Sequence, residues 1–364
     1  MEDICILAIN PGSTSTKIAV FKNNTPVFIK TIRHSSEEIN KFKKITDQYF
    51  FRKNIIYEQL EKAEININKI DVVVGRGGLI HPIPSGVYEV NEAMIEDLKN
   101  SPIGQHASNL GGLIADDIAK HIPGAKAFIA DPIVVDELDD IARISGHPNF
   151  KRISIFHALN QKAVARSHAK SIMRKYEDMN LIVVHAGGGI TIGAHKKGKV
   201  IDVNQGLDGE GPFSPERSGT LPVADLVKLC FSEKYSEEEI NLMIKGKGGF
   251  VAYLGTNDAY EVEMRILKGD QKAKLIYDAM AYQVSKQVGA MCAVLKGEVD
   301  AILITGGIAN SKLFVNHIIR RVYKFAPIHV YPGEDEMRAL VENALMVLKG
   351  EAKLMVYKKQ SAKL

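Results

Sequence analysis

Residues 10–16 have the composition of a loop that binds phosphate groups. They read Asn-Pro-Gly-Ser-Thr-Ser-Thr, so backbone N–H groups of small residues and four hydroxyl groups can point at phosphate oxygens. The GxxxxGK[ST] spacing is absent, and a strand rather than a helix is predicted to follow, so this is not a Walker A loop. A plain tight hairpin is the alternative interpretation. The candidate phosphate-binding residues are Asn10, Gly12, Ser13, Thr14, Ser15 and Lys17.

A second glycine-rich turn occurs about half a chain later, at Gly187, Gly188 and Gly189. Adjacent glycines allow a ligand to approach the backbone closely, although they can also simply connect two strands. The two turns have similar surroundings in the sequence. Together they could bind a polyphosphate from both halves of the chain.

A third turn predicts contact with a nucleoside. Residues 305–310, Thr-Gly-Gly-Ile-Ala-Asn, follow a predicted strand and precede a predicted helix that runs to Arg321. The turn resembles a dinucleotide-binding turn but lacks GxGxxG. A flat adenine or ribose could lie against the backbone there, and a plain strand–helix connection is the alternative. The candidate adenosine-binding residues are Gly306, Gly307, Ile308 and Ala309.

Four ionisable side chains lie just after predicted strands or in a predicted loop. Arg76 follows the predicted strand 71–74, and Arg217 lies in a segment too rich in glycine and proline for a regular element. Arginine binds anionic oxygens in a bidentate manner, although loop arginines are more often surface charge. His157 and Asp131 follow the predicted strands 153–156 and 127–130, at the edge where open α/β sheets place ligands. The imidazole could donate to a phosphoryl oxygen or be structural, and the carboxylate suits Mg²⁺ held through water.

The overall composition indicates an ordinary globular protein. A chain of 364 residues predicts two domains. Its 47 basic and 43 acidic residues give a net charge of +4, which is too weak and too dispersed to predict nucleic-acid binding. Cys5, Cys230 and Cys292 lie far apart, which argues against a disulfide framework or a zinc site and favours a reducing compartment. The first residues read as a buried strand rather than a signal peptide, and no apolar run reaches the ~18 residues of a membrane span. We therefore expect a cytoplasmic protein.

The elements that must position these residues show an internal repeat. Strand, glycine-rich turn, strand, polar turn and strand occur first at 4–9, 17–21 and 26–32, and again at 181–186, 190–195 and 200–204. Apolar runs predict further buried parallel strands at 71–74, 127–130, 153–156 and 299–304. An apolar stripe between Ile276 and Leu295 predicts a long core helix. We predict two homologous α/β domains, 1–150 and 151–334, with the segment 335–364, including a helix to about 348, returning to the first.

The order of the three turns resembles that of the acetate and sugar kinase, Hsp70 and actin superfamily. Longer strings between residues 10 and 313 are similar to the butyrate kinase branch of the acetate kinase family: NPGSTSTK, RGGLIHPIPSGVYEVN, HASNLGG, ISIFHALNQKAVAR, HAGGGITIGAH, DGEGPFSPERSGTLP and TGGIANSK. The resemblance implies two duplicated RNase H-like domains, of the actin and Hsp70 ATPase type, with an active-site cleft between them. It also implies reversible transfer of the γ-phosphoryl group of MgATP to butyrate or a similar short-chain fatty carboxylate, linear or branched. The products would be an acyl phosphate and ADP, and the protein would be a homo-oligomer built from dimers.

The resemblance also implies roles for residues at matching positions. Arg76 and Arg217 would bind the acyl carboxylate and the transferring phosphoryl group, and His157 would contact that group in flight. A carboxylate acceptor is already ionised at neutral pH and needs no general base. Asp131 and Glu336 would bind Mg²⁺ through water, near Asn10, with Asp335 as an alternative to Glu336.

The substrate residues implied by the resemblance are His106, Gly78 and Phe156. Gly78 stands where the acetate branch has a branched apolar residue, which predicts room for one or two extra methylene groups in the acyl pocket. The alternative is that Gly78 is a turn glycine with a positive φ. Phe156 would form a remaining wall of that pocket.

Two departures favour the butyrate branch over the acetate branch. Gly188 replaces an asparagine of acetate kinases, and the loop before Arg217 is shorter than theirs. One rival interpretation is a sugar or amino-sugar kinase, in which Asp131 would be the base that activates a hydroxyl group. The other is a nucleotide-dependent binding or chaperone-like module related to Hsp70 and actin.

Overall fold

The computed structural model describes residues 3–359. They divide into two compact units, of which the first runs to Val135 and resumes at Asp335, and the second spans Asp136–Glu334. The first unit is therefore built from two separate stretches of the chain. The division at Val135 comes earlier than the predicted boundary at residue 150.

The elements are numbered in chain order. The strands are β1 Cys5–Pro11, β2 Ser15–Lys22, β3 Thr25–Arg33, β4 Val72–Arg76, β5 Val87–Glu89, β6 Lys126–Ala130, β7 Asn180–Ala186, β8 Ile190–Lys196, β9 Lys199–Val203, β10 Ala301–Gly306, β11 Ile328–Pro332 and β12 Leu354–Val356. The α-helices are α1 Ser36–Ile39, α2 Tyr49–Lys62, α3 Glu92–Asn100, α4 Asn109–Lys120, α5 Ala158–Ser171, α6 Val223–Cys230, α7 Glu237–Ile244, α8 Gly249–Leu254, α9 Ala259–Leu267, α10 Gln271–Val294, α11 Lys312–Val322 and α12 Glu336–Leu348. Short 3₁₀ helices lie at Ile45–Gln48, Ile67–Lys69, Asp140–Arg143, Tyr176–Asp178 and Gly307–Asn310.

The two units contain sheets built on the same plan. In the first unit the strand order is β12-β5-β6-β4-β1-β2-β3, and in the second it is β11-β10-β7-β8-β9. Each sheet has an antiparallel meander, β1-β2-β3 or β7-β8-β9, whose first strand also pairs in parallel with a later strand, β4 or β10. The predicted duplication of two α/β domains is therefore present in the strand order itself.

The cores form where the sequence has continuous apolar runs. Every residue of β7 is buried, as expected for a strand covered on both faces. The stripe on α10 is core as predicted, since Tyr277, Met280, Val284 and Val288 are fully buried. This helix begins after Asp270, whose carboxylate accepts a hydrogen bond from the backbone N–H of Ala273 at 2.9 Å.

One predicted strand is wrong. Residues 153–156 form an irregular segment between a bridge at Lys151 and helix α5. The carbonyl group of Ile155 accepts its hydrogen bond from the N–H of Gly206, at 2.7 Å, in the loop after β9. Residues 154–156 are buried by packing rather than by a place in the sheet, whereas Ile153 is 44% exposed, and periodicity alone cannot distinguish packing from pairing.

The C-terminal segment belongs to the first unit. Helix α12 packs beside β1 and β4, and β12 pairs with β5 in parallel. Tyr357 donates a hydrogen bond to the carboxylate of Asp97 and accepts one from Asn91 Nδ2 at 2.8 Å. Burial opposes ionisation of Asp97, but hydrogen bonds from Tyr357 and His81 outweigh burial and lower its pKa. No helix within residues 3–359 combines the length and hydrophobicity needed to cross a membrane.

Candidate active site

Three residues predicted from distant parts of the sequence meet in the first unit. Asn10 lies near the end of β1 and Arg76 ends the parallel neighbour β4, which places both side chains at one edge of the sheet. Glu336 is the first residue of α12. Arg76 Nη1 lies 2.9 Å from Glu336 Oε1 and donates to Asn10 Oδ1 at 3.3 Å, and Asn10 Nδ2 donates to the Glu336 carboxylate. The positive end of the helix dipole also favours a carboxylate at this position.

Arg76 retains a donor that no group in the described part of the chain uses. Its Nε atom is buried without a hydrogen-bond partner among residues 3–359, and its side chain is only 18% exposed. A buried donor left unpaired costs about 1–3 kcal/mol. An anion that reaches this guanidinium would remove that cost.

The geometry distinguishes the two acidic candidates at the start of α12. Asp335 is the N-cap residue, since its carboxylate accepts from the N–H of Arg338 at 3.1 Å and also pairs with that side chain. Asp335 therefore serves its own helix, whereas Glu336 joins the cluster of Asn10 and Arg76.

Asp131 follows β6 directly, but its carboxylate already accepts hydrogen bonds from the protein. It follows β6 in the left-handed region, with φ of 37°, and is buried. Its Oδ1 atom accepts hydrogen bonds from Ser85 Oγ at 2.6 Å and from the N–H of Gly86 at 3.0 Å. The carboxylate thus holds the loop before β5.

The space expected at Gly78 is filled. A Cβ atom at this position would lie 2.5 Å from the Cα and 2.8 Å from the N of Asn109, at the start of α4. The expectation that the missing side chain opens room for methylene groups is wrong, because backbone occupies that room. Gly78 does not have a positive φ either, so close approach of α4 requires the glycine.

His106 and Phe156 are positioned by their local chain. Nδ1 of His106 accepts a hydrogen bond from the N–H of Ser108 at 3.2 Å, which leaves Nε2 to carry the proton of a neutral ring. Phe156 is buried, and its carbonyl accepts from the N–H of Ala158 at the start of α5.

In the second unit, Arg217 lies against the second glycine turn. A Cβ atom at Gly189 would fall 1.9 Å from Arg217 Nη1, so only glycine leaves room for the guanidinium. Arg217 donates to the carbonyl of Gly206, and Ser214 Oγ donates to the carbonyl of Gly188 at 2.6 Å. Burial lowers the pKa of Arg217. The structure thus places Arg217 in contact with the second glycine turn.

A buried chain of hydrogen bonds orients His157, which is the N-cap residue of α5. Gln161 Nε2 donates to both the carbonyl and Oγ1 of Thr191, at 3.1 and 2.8 Å, which turns its Oε1 toward His195 Nε2 at 2.9 Å. Burial lowers the pKa of His195 well below its usual range, so the neutral ring donates from Nε2 and accepts from the hydroxyl of Tyr176 at Nδ1. The Thr191 hydroxyl is then directed to Nδ1 of His157, at 2.9 Å. The proton of the neutral His157 ring is consequently on Nε2.

Sequence reasoning missed His185, although a histidine within the apolar strand β7 was a signal. Its ring stacks on that of His157, with centroids 3.8 Å apart and an interplanar angle of 13°. Nδ1 of His185 lies 2.7 Å from Asn160 Oδ1, and Nε2 lies 3.2 Å from Glu334 Oε1. His185 and Glu334 also flank Gly187, where a Cβ would be 3.0 Å from the Glu334 carboxylate.

A cavity in the second unit joins the second and third glycine turns. Its volume is about 570 Å³, within the range of small-molecule sites. The sequence analysis had not included the α9 residues or Glu334. The lining residues are Gly187, Gly188, Pro215, Asn257, Asp258, Ala259, Tyr260, Glu263, Gly307, Ile308, Asn310, Ser311 and Glu334.

Only some of the predicted residues of the third turn line this cavity. Gly307 and Ile308 line the cavity, whereas Ala309 packs in the core. Gly306 has φ of 95° and approaches the carbonyl of Ala186, which a Cβ would meet at 2.2 Å. Gly306 therefore shapes the turn rather than lining the cavity.

Comparison with known proteins gives a consistent result. Residues 151–357 match the Acetokinase family. The chain is 58% identical over 353 residues to Butyrate kinase 2 of Clostridium acetobutylicum, covering 97% of this chain and 99% of that protein. The fold is similar to that of an acetate kinase from Porphyromonas gingivalis, with a TM-score of 0.77 and 20% identity over 95% of this chain and all of the other. A propionate kinase from Francisella tularensis gives a TM-score of 0.73 with 20% identity over 93% and 98% of the two chains.

Proposed function

Because the chain belongs to the acetokinase family, we propose that it is a butyrate kinase, which transfers the γ-phosphoryl group of ATP reversibly to a short-chain fatty carboxylate. The observation that carries the proposal is the 58% identity to Butyrate kinase 2, which extends over 97% of this chain. The acceptor is butyrate or a similar linear or branched acid. The products are the acyl phosphate and ADP.

The arginines supply what this reaction needs. Two anions must approach each other, and phosphoryl transfer depends on positioning and charge stabilisation rather than on a base. We assign Arg76 and Arg217 to the acyl carboxylate and the transferring phosphoryl group. The unused Nε donor of Arg76 and the buried position of Arg217 support these roles. His157 donates from Nε2 to the phosphoryl group, and His106, Phe156 and the backbone of Gly78 contact the acyl group.

In this proposal the three glycine turns bind the nucleotide. Asn10, Gly12, Ser13, Thr14, Ser15 and Lys17 in the first unit, and Gly187, Gly188 and Gly189 in the second, bind phosphates in this proposal. The adenosine occupies the cavity beside Gly307 and Ile308, where Tyr260 adds an aromatic face. Gly306 and Ala309 support the turn from behind.

Magnesium is proposed as the companion of ATP. Residues 3–359 contain no group of three His, Cys, Asp or Glu side chains that could hold a metal, but Mg²⁺ commonly uses one or two carboxylates plus substrate phosphates and keeps several waters. Glu336 and Asn10 provide suitable oxygen donors. The charge of Arg76, 2.9 Å from Glu336, opposes direct ligation and favours contact through water. Asp131, whose Oδ1 already accepts two hydrogen bonds, would also act through water. The bound ion would neutralise phosphate charge.

The same engagement of Asp131 argues against a sugar kinase. A hydroxyl acceptor requires a carboxylate beside it to take its proton, and Oδ1 of Asp131 already accepts hydrogen bonds from Ser85 Oγ and from the N–H of Gly86.

A direct assay tests the proposed function. We expect acyl hydroxamate formation with MgATP for acids of two to six carbons, with butyrate or a near homologue giving the highest kcat/KM. Excess chelator should abolish the activity, and added Mg²⁺ should restore it. The same preparation assayed with hexoses and N-acetylhexosamines is the control for the rival kinase. Activity with a sugar and none with any acid would refute the proposal.

We also propose that the protein is a cytoplasmic homo-oligomer. The cysteines Cys5, Cys230 and Cys292 are free, which suits a reducing compartment. None of the residues of α6 is buried although the helix is strongly apolar, and Val223 and Phe231 are 71% and 84% exposed. Such a surface suits an interface between copies. Sedimentation equilibrium at micromolar concentration should give a multiple of the single-chain mass, and the mass of one chain would contradict the proposal.

A further inference from the structure

Arg52, on helix α2, is a buried cation without an acidic partner. Its exposure is 0%, and among the described residues no carboxylate lies within ion-pair distance of it. Burial lowers its pKa to about 10, and no neighbouring acid raises it. Ionisable groups are rarely buried unless they are paired, because desolvation of an ion is costly. The position of this charge therefore requires an explanation.

All hydrogen bonds of Arg52 are to neutral oxygen atoms, and most of these belong to the first glycine turn. The distances lie between 2.7 and 3.1 Å. The acceptors are the carbonyl groups of Gly12, Ser13 and Ser15, the hydroxyl of Thr16 and the side-chain carbonyl of Gln48. One guanidinium thus fixes the backbone of the whole turn from its inner side.

The orientation of these carbonyl groups determines where the N–H groups of the turn point. In a trans peptide the C=O and the following N–H point in opposite directions. Since the carbonyls of Gly12 and Ser13 face Arg52, the N–H groups of Ser13 and Thr14 face away from it. Both residues are exposed. Two successive outward N–H groups form a concave site for an anion.

The histidine beside the turn adds no charge of its own. His34 Nε2 lies 2.9 Å from Thr16 Oγ1, and burial together with the charge of Arg52 lowers the pKa of His34, so this ring is neutral near pH 7. The positive charge beneath the turn therefore comes from Arg52 and not from His34. An anion on the outer side of the turn would complement it.

We propose that Arg52 is a positioning residue for nucleotide binding, which holds the first glycine turn with its N–H groups outward and places an uncompensated positive charge behind them. The inference rests on the proposed function, in which this turn binds the phosphates of ATP. Arg52 itself does not touch the nucleotide. Its effect is on the affinity for ATP and ADP and not on the affinity for the acid.

Gln48→Glu separates charge from structure. The substitution keeps the size and the acceptor oxygen that Arg52 uses, but it adds a carboxylate that neutralises the guanidinium. We expect the Kd for ADP to rise about threefold to tenfold, since a nearby opposite charge reduces the field at the turn. The melting temperature should stay the same or rise. A variant with unchanged Kd would overturn the role of the charge.

Arg52→Lys tests the planar shape and the several donors of the guanidinium group separately from its charge. Lysine keeps a cation but cannot hold several carbonyls in a fixed plane. We expect the KM for ATP to rise about tenfold to a hundredfold, the effect of losing charge-assisted hydrogen bonds, while the KM for butyrate changes by less than about twofold. Equal increases in both KM values, or none, would overturn the positioning role.

Lys53→Met is the matched control. Lys53 is adjacent on α2, but its ammonium group pairs with Asp117 at 2.9 Å instead of facing the turn. This variant changes the net charge by the same unit as Gln48→Glu, and its Kd for ADP should stay within about twofold of wild type because its ammonium group pairs with Asp117 and not with the turn. A loss of ADP affinity equal to that of Gln48→Glu would attribute the effect to net charge and overturn the inference. Absence of kinase activity in the wild type would instead refute the proposed function, while ADP affinity of the variants would still test Arg52.

Discussion

Replacing Arg76 or Arg217 with alanine lowers kcat/KM for butyrate by about 10³–10⁵, the contribution that an arginine makes to phosphoryl transfer. The affinity for ATP stays nearly unchanged, because neither guanidinium belongs to the nucleotide cavity. Steady-state kinetics with both substrates, together with a direct Kd for ADP, check this result. Circular dichroism and a melting curve establish that each variant is folded.

The structural reason differs between the two arginines. Arg76 holds Asn10 and Glu336 and keeps a buried Nε donor for an anion, so its loss removes charge and leaves the Glu336 carboxylate unpaired. Arg217 lies in the space that Gly189 leaves open and binds the carbonyl of Gly206, so its loss removes the charge beside the second glycine turn, while Ser214 Oγ still holds the carbonyl of Gly188.

Two arginines outside the candidate site are matched controls for this prediction. Arg33 ends the exposed edge strand β3, and Arg174 pairs with Asp300 at the surface. Their alanine variants should stay within about twofold of wild type, as surface substitutions usually do. A loss of tenfold or less for both Arg76→Ala and Arg217→Ala would place these residues among the structural ones.

Replacing His157 with alanine lowers kcat by about 10²–10³, the usual effect of removing one donor to developing charge. Activity is reduced and not abolished, because the carboxylate acceptor has no proton to lose. The pH profile of the variant should therefore show no new requirement for a base. Complete loss in a folded protein, with a base-dependent profile in the wild type, would indicate a hydroxyl acceptor instead.

Thr191 provides an internal comparison for this prediction. Thr191→Val removes the hydroxyl that meets His157 Nδ1 at 2.9 Å, whereas Thr191→Ser keeps it. The valine variant should lose part of what His157→Ala loses, because the ring is no longer fixed as an Nε2–H donor. The serine variant should remain close to wild type. Equal activity of the valine and serine variants would show that the tautomer is set elsewhere.

The sequence predicted those parts of the molecule that leave local signals. Continuous apolar runs identified the buried strands, and the repeated strand–turn–strand pattern identified the duplication. The glycines of the three turns and Arg76, at a strand end, were visible because their positions required particular backbone or charge. The local sequence is enough to predict these features, because none of them depends on contacts between residues that are far apart in the chain.

Features that depend on distant contacts could not be predicted. The run 153–156 looks like a strand because residues 154–156 are apolar or small and buried, although they do not pair in a sheet. The space at Gly78 is filled by α4, which no local pattern indicates. The choice between Asp335 and Glu336 required the positions of Asn10 and Arg76, and Arg52 in α2 gave no sign that it faces the first turn.

The division of the first unit into two stretches has a consequence for protein synthesis. Glu336 is 326 positions from Asn10 and 260 from Arg76, and the whole second unit is made between them. The second unit is continuous and can fold as soon as it leaves the ribosome. The first must wait with its sheet uncovered by α12, because that helix is translated after the whole second unit. A nascent chain therefore cannot assemble the Asn10–Arg76–Glu336 cluster until the whole second unit has been translated.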